Sequence, residues 1–187
     1  MTVSKRERLL DCASALFQQY GFRATGIDRI LEASGCAKMT LYNHFRSKEE
    51  LILACVRRTD EAWRNAVMKK IENSSKDPRG RLLAVFDAVE DMIEDDHFCG
   101  CFFVRAANEF REPEDPIRAA AAENKRLFTN YMARIAKDAG AAKPEDLAKS
   151  LLMLLDGAIA YAHVSGDAKT PTLARQNAEL LIGQYLS

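Results

Sequence analysis

Residues Thr25 to Phe45, TGIDRILEASGCAKMTLYNHF, decide the fold, because they predict two short helices joined by a tight turn. Thr25 is a residue type that caps helix N-termini, and apolar residues follow it at helical spacing. Gly35 then ends the first helix, since a residue without a Cβ atom enters the left-handed conformation without a clash. A second helix is expected to begin near Ala37 or Lys38.

The second helix has two different faces. Leu41 and Phe45 are four residues apart, so both are predicted to face inward. The opposite face carries polar or large side chains, namely Lys38, Met39, Thr40, Tyr42, Asn43 and His44. Helix-turn-helix proteins place such a helix in the major groove of DNA while the preceding helix braces the backbone. The stretch therefore predicts a surface that reads DNA.

The segment from Leu10 to Leu51 resembles the DNA-binding domain of the TetR family of transcriptional regulators. Its most similar part is GCAKMTLYNHFRSKEEL, which begins at Gly35. The matching residues are Ala13, Phe17, Gly21, Thr25, Ile30, Gly35, Lys38, Thr40, Leu41, Tyr42, Phe45, Lys48 and Leu51. Two residues depart from the family pattern. Ala37 replaces a capping Ser, a loss of about 1 kcal/mol, and Met39 replaces a common Gly, which we interpret as altered operator preference.

The expected DNA-binding residues are Thr25, Lys38, Met39, Thr40, Tyr42, Asn43, His44 and Lys48. Of these, Thr40, Tyr42 and Lys48 are expected to contact phosphates. The expected neighbours of base edges are Lys38, Met39, Asn43 and His44. Lys48 falls in the first turn of the fourth helix, where backbone N–H groups and the positive end of the helix dipole also favour a phosphate.

Caps, prolines and turn residues divide the rest of the chain into helices. Capping boxes at residues 4–7 and 47–50 open the first and fourth helices, and three prolines open later ones. No segment alternates with a period of two over a useful length. We therefore predict an all-α protein of about nine helices. Residues 1–50 form the helix-turn-helix domain, and residues 51–187 form a helical regulatory and dimerisation domain.

Composition and net charge limit the possible classes of function but do not select one. The 187 residues are 48% hydrophobic and carry a formal net charge of zero. Residues 1–50 hold 8 Lys and Arg against 6 Asp and Glu, a net +2, so the motif, not the charge, predicts DNA binding. The chain has no apolar run near 18 residues and no signal-peptide core at its amino end. We expect a cytoplasmic protein with reduced cysteines and no membrane helix.

The last two predicted helices are apolar over a wide arc. Their apolar residues include Leu147, Leu151, Leu155, Ile159, Leu173, Leu181 and Ile182. Such a pair either completes a monomer core or packs against a second copy as a four-helix bundle, and the residues alone leave both open. The family resemblance implies the homodimer, whose two recognition helices read the half-sites of an inverted-repeat DNA operator.

The resemblance also implies a helical cavity for a small-molecule effector. Apolar lining candidates are Trp63, Phe86, Phe98, Phe102, Phe103, Phe110, Phe128, Tyr131 and Met153, and polar candidates are His97, Arg105, Asn108, Asp156 and His163. For each aromatic residue, simple core packing is the alternative. Asp156 lies in the apolar run LLMLLDGAIA, so its carboxylate needs a ligand, a basic partner or the dimer contact.

His97, Cys99 and Cys101 form the other cluster of reactive side chains. A thiol-based redox or electrophile sensor would use Cys99 and Cys101. A metal site would add His97, but no fourth ligand is evident and the common finger spacings are absent. We expect neither a metal nor a cofactor, and packing in a segment between helices is the alternative for both thiols.

Three functions compete at this point. The leading hypothesis is a ligand-responsive homodimeric repressor, with repression inferred from the usual mode of the family. A small helical enzyme using Cys or His is disfavoured, because the sequence has no nucleophile elbow, phosphate loop or paired metal ligands. A helical adaptor without DNA contacts is disfavoured by Lys38, Thr40, Tyr42 and Lys48.

Overall fold

The computed structural model describes residues 4–95, 98–167 and 169–186. In these residues the chain forms nine α-helices and no strand, which confirms the predicted all-α class. The helices are α1 (Lys5–Tyr20), α2 (Ile27–Ser34), α3 (Lys38–His44), α4 (Lys48–Ser74), α5 (Pro78–Ile93), α6 (Phe102–Glu109), α7 (Pro116–Asp138), α8 (Pro144–Ser165) and α9 (Thr170–Tyr185).

Local sequence signals set several helix ends. The hydroxyl oxygen of Ser4 accepts a hydrogen bond from the Glu7 N–H at 3.1 Å and caps α1. Asp77 caps α5 in the same way, with Pro78 in the first turn. One predicted cap is wrong. The N-cap of α2 is Gly26, which makes no side-chain hydrogen bond, and Thr25 lies one residue before it.

The helices form two compact units, and each unit combines two separate stretches of chain. The first contains the described residues up to Ala62 together with Phe102–Asn124. The second contains Trp63–Cys101 and the described residues from Lys125 onward. The boundaries between the units therefore fall within α4, immediately before α6, and within α7.

The core of the first unit is built around aromatic side chains. In this unit α1 packs against α2 and α3. Phe22 lies between Phe17 and Phe102, at ring-centroid distances of 5.3 and 4.9 Å. All three rings are buried, and burial stabilises the fold by about 1.5–3 kcal/mol for each side chain of this size. Tyr20 of α1 is 42% exposed, and the Arg29 guanidinium lies over its ring at 3.6 Å.

In the second unit α5, α8 and α9 pack against one another around a continuous apolar core. Among the described helices, α8 alone is long and apolar enough to cross a membrane, with a mean hydropathy of 1.3 over 18 residues, of which 39% are buried. The expectation of no membrane helix stays a prediction. The test is weak evidence for a membrane span, since helices packed in protein cores also pass it. Here α8 carries Asp156, which is paired with Lys125 of α7.

Candidate nucleic-acid interface

The turn between α2 and α3 has the geometry that the sequence predicts. Gly35 has a φ of +62°, in the left-handed region, and its N–H bonds back to the Glu32 carbonyl. The Ser34 hydroxyl accepts a hydrogen bond from the Cys36 N–H at 3.3 Å. Ala37 is the N-cap of α3 and supplies no side-chain bond, as expected from its missing hydroxyl. The turn is fixed by backbone and by Ser34, while the start of α3 is left uncapped.

The inward face of α3 anchors the helix in the first unit. Leu41 is fully buried and Phe45, the C-cap residue, is 2% exposed. The Arg6 guanidinium of α1 lies over the Phe45 ring at 5.4 Å. This is a cation–π contact within one unit, of about 0.5–1 kcal/mol at a partly exposed site. The buried pair therefore fixes the direction in which the other side chains of α3 point.

The outward face of α3 brings the predicted base-reading residues together. Met39 is 72% exposed and Tyr42 is 44% exposed. Lys38, Asn43 and His44 are exposed as well, and Thr40 is half-buried. One short helix thus presents a cation, a thioether, a phenol, an amide and an imidazole to solvent. These groups include donors and acceptors of the kind that contact base edges and phosphates.

Thr25 does not belong to this exposed face. Its side chain is fully buried, and its hydroxyl donates to the Gly21 carbonyl at 2.7 Å and approaches the Leu16 carbonyl at 3.3 Å. These carbonyls lie at the C-terminal end of α1, where the helix leaves acceptors without partners. Thr25 therefore holds the turn between α1 and α2 in place, and its predicted DNA contact is replaced by a supporting role.

Lys48 lies at the start of α4. Its Nζ donates to the Arg23 carbonyl at 3.1 Å, so the ammonium group is positioned beside the turn after α1. The preceding residue, Ser47, accepts from the Glu50 N–H at 3.2 Å, and the Glu50 carboxylate accepts from the Arg46 N–H at 2.7 Å. The Ser47 half of the predicted capping box thus forms, whereas the Glu50 carboxylate binds the N–H one residue before the cap; both bonds fix the first turn of α4. Two further exposed arginines lie here that the sequence analysis does not select: Arg46, which directly precedes the box, and Arg23, whose carbonyl accepts from Lys48.

Two residues of α6 hold the turn after α1 from another part of the first unit. The Glu109 carboxylate accepts from the N–H groups of Phe22 and Arg23 at 3.0 and 2.7 Å. The Arg105 guanidinium donates to the carbonyls of Gln18 and Phe17 at 2.6 and 3.4 Å. A cation at a helix C-terminus also interacts favourably with the helix dipole. The structure therefore places the guanidinium of Arg105, predicted as an effector anchor, at the C-terminal end of α1.

The effector candidates divide between the two units. Trp63, Phe86, Phe128 and Tyr131 belong to the second unit, where the Phe128 ring lies 4.9 Å from Trp63 and 6.2 Å from Tyr131. Phe98 is also in that unit and packs edge-on against His163 at 5.8 Å. Phe102, Phe103 and Phe110 are in the core of the first unit.

Tyr131 differs from the other aromatic candidates. It is 7% exposed, and its hydroxyl has no hydrogen-bond partner among the described residues. Burial, with a smaller contribution from Glu72, raises the pKa of this phenol. A buried hydroxyl without a partner costs free energy, so it is a polar group to which a ligand could bond.

Asp156 has a basic partner, which is one of the three alternatives predicted for its carboxylate. Its carboxylate pairs with the Lys125 ammonium, and both side chains are about a third exposed, at 30% and 27%. The same Lys125 Nζ donates to the Cys101 Sγ at 3.8 Å. Cys101 and Cys99 are partly buried, and His97 lies outside the described residues. Among the residues that are described, no three His, Cys, Asp or Glu side chains cluster as metal ligands.

Two family profiles match the chain. One, described as bacterial regulatory proteins of the TetR family, matches residues 9–55. The other, described as a tetracyclin repressor-like C-terminal domain, matches residues 78–178.

Curated relatives match over the amino-terminal half. The transcriptional activator FasR of Mycolicibacterium smegmatis is 38% identical over 92 residues, which are 49% of this chain and 42% of FasR. The transcriptional repressor KstR2 of Mycobacterium tuberculosis is 36% identical over 94 residues, 50% of this chain and 46% of KstR2. The matched part of the chain thus spans less than half the length of these relatives.

Solved structures match over the whole chain. The TetR-family regulator SCO4454 of Streptomyces coelicolor is 28% identical with a TM-score of 0.91, covering 98% of this chain and 96% of that one. The regulator sav143 of Streptomyces avermitilis is 30% identical with a TM-score of 0.86, covering 98% of both chains. None of these four relatives is described as an enzyme, in agreement with the sequence, which has no catalytic motif.

Proposed function

The chain belongs to the TetR family of bacterial regulatory proteins, and we propose that it is a cytoplasmic, homodimeric repressor that binds an inverted-repeat operator and responds to a small-molecule effector. The observation that carries the proposal is the outward face of α3. Met39 and Tyr42 are exposed there beside polar side chains, on a helix that Leu41 and Phe45 anchor from the other side. The thioether of Met39 and the phenol of Tyr42 are therefore accessible to a DNA partner.

The roles of the individual residues follow from their positions. Lys38, Met39, Asn43 and His44 would lie at base edges in the major groove. Thr40, Tyr42 and Lys48 would bond to phosphates, with Lys48 aided by the N–H groups at the start of α4. Thr25 and the α6 residues would act indirectly, by fixing the turn beside Lys48. In functional terms we assign DNA binding to residues 1–50 and effector binding and dimerisation to residues 51–187.

The proposed dimer contact uses the exposed face of α8 and α9. Met153 is 68% exposed, Tyr161 62%, Val164 87%, Leu173 59% and Leu180 69%. Met153, Gly157, Tyr161 and Val164 recur at helical spacing along α8, and a Cβ atom added at Gly157 would meet nothing within 4 Å. A second helix can pack closely against this apolar stripe, because Gly157 has no side chain to hold the two backbones apart. Two copies would form a four-helix bundle.

The proposed effector site is the aromatic cluster of the second unit. Trp63, Phe128 and Tyr131 lie in ring contact, and the Tyr131 hydroxyl is buried without a partner in the described chain. A mainly apolar effector with one hydrogen-bonding group would satisfy that hydroxyl. Asp156 is a weaker anchor, because Lys125 already neutralises it.

Fluorescence anisotropy tests the proposal. A pool of random duplexes is first enriched on the purified protein, and the winning sequence is then compared with its scrambled version at near-physiological salt. We expect the enriched sequence to bind at least about a thousandfold more tightly than the scrambled sequence, at one dimer per site. If no sequence were enriched, or if the enriched duplex and its scrambled version bound equally, the helical adaptor without DNA contacts would be the better hypothesis.

Two sets of variants assign the contacts. Lys48→Ala should weaken binding to every duplex and reduce the slope of log affinity against log salt by about 1, whereas Lys48→Arg, which keeps the charge, should retain the slope. Asn43→Ala should instead change the preference among operator sequences. If Lys48→Ala left both affinity and slope unchanged, α4 would not lie on the phosphate backbone.

Transcription from a promoter that contains the enriched operator tests the direction of regulation. Added protein should reduce the transcript, and an effector found by its release of operator in the anisotropy assay should restore it. A transcript that rises with added protein would mean activation.

A further inference from the structure

We propose that Met39 selects thymine at one position of each operator half-site, through contact between its thioether and the 5-methyl group of the base. This selection rests on the proposed function, since it requires α3 to lie in the major groove, and it names a chemical group that the helix reads there. Met39 replaces a common Gly of the family pattern, and a residue without a side chain cannot make this contact. The selection therefore comes from the sequence of this chain.

Met39 lies on the most outward ridge of α3. Leu41 is fully buried and marks the inward direction of the helix. Successive residues of an α-helix are about 100° apart, so Met39 and Asn43, each two residues from Leu41, point about 160° away from it and lie about 40° apart. The exposed fractions agree, because Met39 is 72% exposed and Tyr42, on the flank, is 44% exposed. Met39 and Asn43 are therefore the side chains that would enter a groove first.

The thioether of Met39 matches the one apolar group that a base pair presents in the major groove. Guanine, cytosine and adenine present hydrogen-bond donors and acceptors, whereas thymine adds a methyl group beside its carbonyl. The Met sulfur is a weak acceptor, and the side chain has no donor. Against a polar edge it would displace water without replacing the lost hydrogen bonds, which costs free energy. Against the methyl group it buries apolar surface on both partners.

Asn43 sets the position of this contact within the half-site. Its amide both donates and accepts, as the edge of an adenine does. Met39 and Asn43 are four residues apart, about 6 Å along the helix axis, and base pairs are spaced by about 3.4 Å. We therefore expect the thymine read by Met39 to lie within about two base pairs of the base read by Asn43.

Deoxyuridine tests the contact, because it lacks the methyl group of thymidine and keeps its hydrogen-bonding edge. Each thymine of the enriched operator is replaced in turn, in both half-sites together, and binding of the full-length protein is measured by fluorescence anisotropy. At the position read by Met39, affinity should fall about fifteenfold, since the loss of one buried methyl-sized group costs about fourfold in each half-site.

Met39→Gln is the matched variant, since Gln has a similar length and helix propensity but ends in an amide. At the position in question it should bind the thymine and deoxyuridine operators equally, to within about twofold, because it has no apolar end to bury against the methyl group. Its circular dichroism and salt dependence should match the wild type, as no charge changes. Met39→Leu keeps an apolar end and should retain most of the methyl dependence.

Two results would overturn the role of Met39. One is an operator in which no thymine methyl contributes more to wild-type binding than to Met39→Gln binding, since a methyl effect common to both proteins reports DNA shape. The other is a preference change in Asn43→Ala that lies more than about three base pairs from the Met39-dependent thymine. Failure to enrich any operator would instead contradict the proposed function itself, so the two failures are distinguishable.

Discussion

The Thr25 hydroxyl illustrates how one buried polar group supports a binding surface that it does not touch. It donates to the Gly21 carbonyl at 2.7 Å inside a fully buried site. Thr25→Val keeps the shape but leaves that carbonyl with one bond fewer, so we expect a loss of about 1–3 kcal/mol in unfolding free energy. Thr25→Ser keeps the hydroxyl and should lose about 1 kcal/mol or less. Urea unfolding of both variants measures this, and equal stability of Thr25→Val and wild type would contradict it.

Cys55 gives the first unit a dependence on alkaline pH. Burial raises the pKa of this thiol to about 11, and its Sγ donates to the Leu10 carbonyl. Since the folded pKa lies above the unfolded value, the contribution is fully present below the unfolded pKa of 9.0 and is lost as the pH rises toward 11.

The test compares urea unfolding of wild type and Cys55→Ala at each pH, so that groups common to both proteins cancel. The wild type should lose roughly 2 kcal/mol more than the variant between these two pH values. Parallel stability curves would show that the Cys55 thiolate forms as easily in the folded protein as in the unfolded chain.

At the scale of single elements, α3 is a short helix with a weak start. Ala37 has the extended backbone of an N-cap, at φ −71° and ψ 149°, but no side chain to accept from the first N–H groups. No acidic residue lies in the first turn to offset the dipole. Ala37→Ser should therefore stabilise the protein by about 1 kcal/mol, seen as a higher urea midpoint, whereas Ala37→Gly should change it by only a few tenths. An unchanged midpoint in Ala37→Ser would mean that solvent already satisfies these groups.

The ends of most elements could be predicted from the sequence because short-range chemistry decides them. Ser4, Ser47 and Asp77 form the caps that their neighbours in sequence suggest, and Gly35 adopts the left-handed conformation. Thr25 was misjudged for the same reason. A threonine before an apolar helix is usually a cap, and only the three-dimensional end of α1 supplies the carbonyl that it binds instead.

The contacts of α6 lay beyond prediction from one sequence. Glu109 meets the Phe22 and Arg23 amides across 87 and 86 residues of chain, and no local pattern carries that pairing. An Arg in an aromatic segment is equally compatible with an effector site, so the sequence alone does not predict the contact of Arg105 with α1. Lys125 likewise had no sequence signal that linked it to Asp156 and Cys101, at separations of 31 and 24 residues.

At the scale of the whole molecule, the exposed apolar stripe of α8 predicts the oligomeric state. Gly157 lies in this stripe with open space around it, so Gly157→Glu meets no atom of its own chain. Glu is also the better helix former by about 0.5–1 kcal/mol, and the isolated chain should not be destabilised. In a dimer that packs two helices closely at this point, the same change buries a charge against the partner. We therefore expect Gly157→Glu to be a folded monomer.

Analytical ultracentrifugation decides between one chain and two, and circular dichroism reports the fold. Asn73→Glu adds the same charge at an exposed position of α4 and should remain a dimer. Because operator half-sites are read by two recognition helices together, the Gly157→Glu monomer should also lose most of its affinity for the inverted repeat while retaining weak non-specific binding. A variant that stays dimeric would place the contact on another face. A monomer that still binds the operator at full affinity would instead break the link between dimerisation and operator recognition.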